Sequence, residues 1–351
     1  MKRNLIWLLV VALGVLSIVS CDGNSNDNNC LAAVEIAGKW GFINKAGDFV
    51  IKPQFDDVQD FTEGLACVSI GGKYGFIDKT GEYVINPQFD GAGEFHEGLA
   101  KVQIGDWESR KYGFIDKTGK YVINPQFNGA GDFHEGLAKV QISDWESRKY
   151  GFIDKTGKYV INPQFNGAGD FHEGLAKVQI GDWESRKYGF IDKTGKYVIN
   201  PQFDESEDFS EGLACVFIGG KYGFIDKTGK YVINPQFDYA WGFSEGLASV
   251  RIGIKVGFID KTGKYVINPQ FDGLSFFSEG LAFVGIGNES GFIDKTGKYV
   301  ISPQFGYASS CFSEGLACIR IGDEFGFIDK TGLFVINNPQ FDDAWNFHSV
   351  K

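Results

Sequence analysis

The side chains of this sequence that could do chemistry come in sets. A Glu stands before Gly-Leu-Ala at Glu63, Glu97, Glu135, Glu173, Glu211, Glu245, Glu279 and Glu314, and an Asp stands before Lys-Thr-Gly at Asp78 and its equivalents. Repeated carboxylates are what a calcium site uses, but an enzyme needs its acid, base or nucleophile once, in a unique pocket. A carboxylate required in copy after copy reads as structural, an acceptor for backbone N–H groups in a turn. His96, His134 and His172 recur in the same way beside those Glu residues. Successive multi-stranded units are expected about 10 Å or more apart when sheets stack, too far for two imidazoles to share a zinc ion that holds its ligands near ~2 Å. They read as solvated or capping side chains. No Ser-His-Asp or Cys-His-Asn set stands out, and there is no P-loop or dinucleotide glycine pattern. The expectation is binding rather than catalysis, with no cofactor and no metal.

Binding residues should lie where the copies differ. Segments 106–110, 144–148 and 182–186 each read Asp-Trp-Glu-Ser-Arg, a lengthening that the other copies lack. Trp and Arg are the residues most enriched in binding hot spots, so Trp107, Arg110, Trp145, Arg148, Trp183 and Arg186 are candidate contacts. Trp241, in the variable segment Tyr239-Ala-Trp241, joins them. The competing reading is that the three hairpin Trp residues fold back and seal the array. Of the six cysteines, Cys67, Cys215 and Cys318 share one repeat position, while Cys30 and Cys311 fall elsewhere. With Cys21 set aside, five remain, an odd number that leaves at least one thiol free. Cys311 and Cys318 lie in one local segment and are a possible pair.

The elements that must position these residues follow from the period. Gly-Phe-Ile opens at Gly41, Gly75, Gly113, Gly151, Gly189, Gly223, Gly257, Gly291 and Gly326, in steps of 34, 38, 38, 38, 34, 34, 34 and 35 residues. Such a period marks a repeat array in which each copy buries its core against its neighbours. In residues 65–89, three short β-rich runs are separated by glycine turns, which predicts a three-stranded antiparallel meander. Asp78-Lys79-Thr80-Gly81 has the chemistry of a type I turn closed by a left-handed Gly. Ala66, Val68 and Ile70 keep apolar counterparts in every copy and should face the core. Positions 67 and 69 drift and should face solvent or ligand. The stretch after Phe89 reads as a connector. Residues 31–351 hold nine whole units in phase, with no sign of a strand borrowed across a closure. Nine exceeds the usual number of propeller blades. The expected architecture is thus all-β, an open β-superhelix of nine meanders, with a closed propeller-like ring as the alternative. Residues 100–137 and 138–175 differ only at Gly105 and Ser143, and such duplication extends a surface rather than a pocket.

Lys39-Trp40-Gly41-Phe42-Ile43-Asn44, followed by Phe49-Val50-Ile51 and Pro53-Gln54-Phe55, resembles the WG-repeat (KWG) family of bacterial proteins. The resemblance covers residues 31–351 and implies a β-repeat surface module without transferable catalytic residues. The Trp of the name is replaced by Tyr in units two to six and by Val256, Ser290 and Phe325 later, while Gly, Phe and Ile stay fixed around it.

The N-terminus supplies an address. Met1-Lys2-Arg3 is basic, and an apolar run from Leu5 to Val19 suits the h-region of a secretory signal rather than a membrane span. Ile18-Val19-Ser20-Cys21 resembles the lipobox of bacterial lipoproteins, which implies removal of residues 1–20 and a lipid on Cys21. Residues 22–29 are wholly polar and read as a tether, so that 21–30 link the anchor to the array. The expected location is the bacterial cell envelope, lipid-anchored in a membrane. With 43% apolar and 15% aromatic residues the body is a folded one. The formal charge of −11 lacks the basic footprint that phosphate backbones require, so nucleic acid is not an expected partner. The expected partner is a protein or an extended polymer, with a cell-wall glycan as the alternative.

Overall fold

The computed structural model describes residues 29–142, 148–305, 307–308 and 311–350. The signal segment, Cys21 and the tether up to residue 28 lie outside the described residues, as does Trp145. Within the array every unit is a small antiparallel sheet, and nine such sheets close into a ring.

Each blade has four strands rather than three. In blade 2 they are Asp57–Thr62, Leu65–Ile70, Lys73–Ile77 and Tyr83–Phe89, hydrogen-bonded in that order. The segment read as a connector is therefore a strand. It pairs through Asp57 with Ser69 and through Thr62 with Leu65, with a register shift between Val58 and Phe61. These first strands of neighbouring blades lie against one another, so they form the inner layer of the ring and the Tyr83–Phe89 strand its rim.

The ring closes on a borrowed strand. Blade 1 takes Cys30–Ile36, Lys39–Ile43 and Phe49–Phe55 from the start of the array, and its inner strand from the end. Val34 pairs with Ala344, Glu35 with Asp343, Cys30 with Ser349 and Leu31 with His348. Of the two shapes that the repeat permits, the molecule is the closed ring and not the open superhelix. The absence of a borrowed strand expected from the phase is corrected with it: Asp343–Ala344 and His348–Ser349 pair with Cys30–Ile36 and supply the inner strand of blade 1.

Packing shows the closure independently. Buried clusters sit at blade junctions, and nine blades have nine of them, whereas an open row would have eight. Every junction packs two Phe rings against each other, edge to face in all but the tilted Phe258–Phe277 pair, among them Phe76 on Phe95 at 4.8 Å and Phe114 on Phe133 at 4.9 Å. At the seam Phe327 of blade 9 meets Phe347 of blade 1 at 4.9 Å. Since blades pack on both faces, both faces of the second strand are buried there. Cys67, on the drifting side, is as buried as Ala66 and Val68, while Ile70 emerges into solvent. The expected division into core face and solvent face is corrected for Cys67 in that way, while its equivalents Lys101, Lys139 and Lys177 stay half-buried.

Two glycine-dependent features set the blade shape. The glycine of Gly-Phe-Ile faces a bulge: a Cβ on Gly75 would lie 2.5 Å from the Ile85 carbonyl oxygen and 2.7 Å from the Pro87 nitrogen. The turn at Asp78 forms as its sequence predicts. Asp78 Oδ1 accepts the Thr80 N–H at 2.8 Å and hydroxyl at 2.6 Å, and Gly81 takes φ 88°.

Candidate functional site: the variable face of the ring

Strand polarity divides the loops between two faces. One carries the turns between first and second strands and those between third and fourth. The other carries the hairpins between second and third strands and the crossings to the next blade.

The first face is nearly the same in every blade and holds the ring together. Glu63 adopts φ 49°, a left-handed conformation that costs a non-glycine residue roughly 1–2 kcal/mol. Its carboxylate crosses the junction to accept the Gly98 N–H at 3.0 Å and to meet Lys117 at 3.1 Å. The pattern recurs through Glu279, Gly315 and Lys330, and it spans the seam where Lys45 lies 3.8 Å from Glu314. In blade 1 Asn29 stands in for the Glu and receives Lys79 at 2.9 Å. The recurrent Glu is thus structural, and its N–H donor belongs to the next blade rather than to its own turn.

The inner strands also carry polar chemistry. His96 and His134 stack with ring centroids 5.3 Å apart, and His134 and His172 with centroids 5.5 Å apart. The expected separation of about 10 Å is corrected: inner strands converge toward the ring axis instead of stacking as parallel sheets. No group of three His, Cys, Asp or Glu residues converges on a metal position among the described residues. Lys139 pairs with Asp170 at 3.1 Å across a junction, and Gly131 leaves room for both, since a Cβ there would lie 2.7 Å from Lys139 Cε. Burial pushes the carboxyls of Asp60, Glu94 and Glu207 above their usual range; at Asp60 the nearby His348 works against it. Cys311 and Cys318 are not joined in a disulfide, and the Cys318 thiol donates to the Ala344 carbonyl at 3.4 Å, while Cys67 and Cys215 are free thiols. Burial drives the Cys67 thiol up to about 12, which makes it inert at neutral pH.

The second face is where the blades differ. In blade 3 the hairpin at 105–110 is braced by Asp106, whose Oδ1 accepts the Ser109 N–H at 3.0 Å and hydroxyl at 2.6 Å. Trp107 stands 76% exposed with the Arg110 guanidinium 4.3 Å from its ring centre. Blade 5 repeats this, with Trp183 79% exposed and Arg186 at 4.5 Å. Both Trp side chains are therefore presented to solvent, not folded back. Arg148 lies half-buried at the foot of the blade 4 hairpin. Trp241 sits on the inner strand of blade 7, and contacts join it to blade 5: Arg186 to Glu205 at 3.7 Å, the Tyr222 hydroxyl donating to Glu205 at 2.9 Å, then Tyr222 to Tyr239 at 4.7 Å and Tyr239 to Trp241 at 4.5 Å.

A cleft of about 320 Å³ opens between blades 2 and 3, lined by Gln59, Tyr74, Gly91, Lys101, Gln103 and Tyr112. Gln59 Oε1 is buried without a hydrogen-bond partner. Of these, Lys101 and Gln103 occupy the drifting repeat positions of residues 67 and 69, which sequence placed toward solvent or ligand, whereas Gln59, Tyr74, Gly91 and Tyr112 were not proposed as site residues. The signal was present in Gly91, Gly129 and Gly167, small where Glu205 and Tyr239 stand in later copies.

A family model described as the WG containing repeat matches residues 40–74, 74–106, 112–144, 150–182, 188–222, 222–253, 257–289 and 291–324. No curated protein matches the chain. Among solved structures, the chain is similar in fold to one described as a crystal structure of the eukaryotic initiation factor. That likeness has a TM-score of 0.66 at 12% identity, covering 92% of this chain and 98% of that one. Weaker likenesses include Hsv2p of Kluyveromyces lactis, with TM-score 0.40, 8% identity and coverage of 67% and 92%. An extracellular domain of a hybrid two-component system from B. thetaiotaomicron gives TM-score 0.27, 12% identity and coverage of 92% and 59%.

Proposed function

The chain belongs to the WG-repeat family, and from that premise we propose that it is a non-enzymatic binding protein of the cell envelope. A lipid on Cys21 tethers it, and the variable face of the ring holds a partner protein or an extended polymer. The observation that carries this reading is the pair of exposed Trp side chains, each on a hairpin braced by an Asp and each with an Arg on its ring. A braced hairpin loses little further freedom on binding, so its contacts translate into affinity. The opposite face is occupied by junction contacts that every blade needs, which leaves little room for specificity there.

Trp107→Ala with Trp183→Ala tests the reading. The double variant should melt within about 1 °C of the parent, because little buried area is lost. Retention of envelope material by the full-length protein should fall sharply. Unchanged retention would remove the hairpins from the binding site. The anchor is tested by Cys21→Ala, which should abolish lipid labelling; a variant that matures and stays with membranes as before would refute it.

A further inference from the structure

Tyr222 shows what the junctions on this face accept. In blade 7 Tyr239 reaches back across the junction and rests its ring on Tyr222 of blade 6, while Glu205 takes the Tyr222 hydroxyl. Position for position, Tyr74 faces Gly91, Tyr112 faces Gly129 and Tyr150 faces Gly167 at the three junctions joining blades 2 to 5. There the protein supplies no ring of its own, and Tyr74, Tyr112 and Tyr150 remain half-buried where Tyr222 is buried.

We propose that these three junctions are subsites for successive sugar units of a neutral polysaccharide, the first of them, between blades 2 and 3, opening as a cleft of about 320 Å³, an inference that rests on the binding role above and names its ligand. Each position calls for a ring-shaped guest with one apolar face. The C–H face of a pyranose is slightly positive and suits the negative face of a Tyr ring. In the cleft between blades 2 and 3 the remaining lining is polar: Gln59 Oε1 has no partner and wants an O–H or N–H donor, a feature the other two junctions lack because Gly93 and Gly131 stand at its position, and the Gln103 amide donates to the Gly105 carbonyl at 3.2 Å. The charge of Lys101 is held by Asp132 at 3.4 Å, so the lining offers no free cation to an anionic sugar. A chain of net charge −11 would repel a polyanion as a whole. Three like junctions in a row fit a guest that itself repeats. The Trp107 hairpin stands beside the first of them, its base tied down by the Gly105 N–H donating to Asp90 at 2.8 Å.

The test is affinity electrophoresis of the detergent-solubilised full-length protein in native gels containing soluble starch, mixed-linkage β-glucan, galactomannan, dextran or, as the anionic control, polygalacturonate. At least one neutral polymer should retard the protein. Gly91→Glu, Gly129→Glu and Gly167→Glu together place at each of the three junctions the residue that blade 6 already carries at this position. That variant should bind about tenfold more weakly or worse, with the Gln103, Gln141 and Gln179 side chains, whose nearest atoms lie 3.3, 3.0 and 2.8 Å from the added Cβ atoms, shifting to admit them. Tyr112→Leu, which strips the aromatic wall shared by two junctions, should weaken binding as well. Retardation by no neutral polymer, or stronger retardation by polygalacturonate, overturns the ligand class. Trp-dependent retention of envelope material would in that case still support the binding role. Unchanged polysaccharide binding in both the triple Glu variant and Tyr112→Leu overturns the assignment to the junctions, and a simultaneous lack of effect of the Trp variants would sink both readings.

Discussion

Phe347 lies four residues from the end of the sequence, and in an open array its loss would be nearly free, because terminal segments fray. In the closed ring it is fully buried, packs on Phe327 at 4.9 Å, and its carbonyl accepts the Ser313 hydroxyl at 2.8 Å. Phe347→Ala should therefore cost about 3–5 kcal/mol, as for a buried aromatic anywhere in a core. With an unfolding entropy near 2.1 cal/mol/K per residue over roughly 320 ordered residues, 4 kcal/mol corresponds to a fall of about 6 °C in melting temperature. Phe133→Ala is the internal standard, since Phe133 makes the same edge-to-face contact with Phe114 at 4.9 Å in mid-chain. Urea and thermal unfolding of the two variants should give losses that agree within about 1 kcal/mol. A loss below about 1 kcal/mol for Phe347→Ala, with a normal loss for Phe133→Ala, would refute the seam.

Other outcomes can be read from the same preparations. Gly113→Ala would put a Cβ 2.5 Å from the Ile123 carbonyl oxygen and 2.6 Å from the Pro125 nitrogen, both backbone atoms that cannot swing away. It should cost about 3 kcal/mol, against about 1–2 kcal/mol for Gly98→Ala, where only the left-handed backbone objects; equal losses would mean that the bulge opposite Gly113 is not as described. Acid should also weaken the ring. Burial pushes the carboxyls of Glu63, Glu97, Glu135 and Glu245 up, but the cross-junction Lys and Gly N–H groups outweigh it and hold them below the usual carboxylate range. Thr hydroxyls do the same for turn residues such as Asp78 and Asp154. A depressed folded pKa contributes stability that is complete above the unfolded value and is lost as pH falls through the folded one. The urea midpoint should thus drop between about pH 5 and pH 3, whereas Asp60, Glu94 and Glu207 act in the opposite sense and are fewer. A midpoint that stays level or rises over that range would contradict the clasp.

The β-character, the period and the Asp78-type turns were legible because they rest on local chemistry: glycine at fixed offsets, β-branched runs, and an Asx acceptor. The inner strand was not. Gly91–His96 is short of β-branched residues and is broken by a register shift between Ala92 and Phe95, so its extended form comes from pairing with Leu99–Ile104. One residue did announce it: a Phe recurs there in every copy, from Phe61 to Phe347, and a solvent loop has no use for an invariant buried ring. Once that segment is a strand, its copy at 343–350 can pair with Cys30–Ile36 and close the ring, as it does. The hairpin Trp residues were found by their recurrence in three copies. The cleft between blades 2 and 3 was missed because Gly91 marks it only by contrast with Glu205 and Tyr239 in later copies, a signal that gains meaning once the residues around it are known.

The seam also fixes an order of events in biosynthesis. Glu35 leaves the ribosome early and Asp343, its partner across the closure, some 300 residues later, a delay of roughly 15–60 s at typical elongation rates. During that interval the Cys30–Ile36 strand is an unpaired edge, which is the feature that recruits foreign strands. Each newly made blade can dock on the one before it, so the growing chain is a lengthening arc with one sticky end. A truncated translation product would keep that end exposed permanently, and a quality-control protease or chaperone would meet it there.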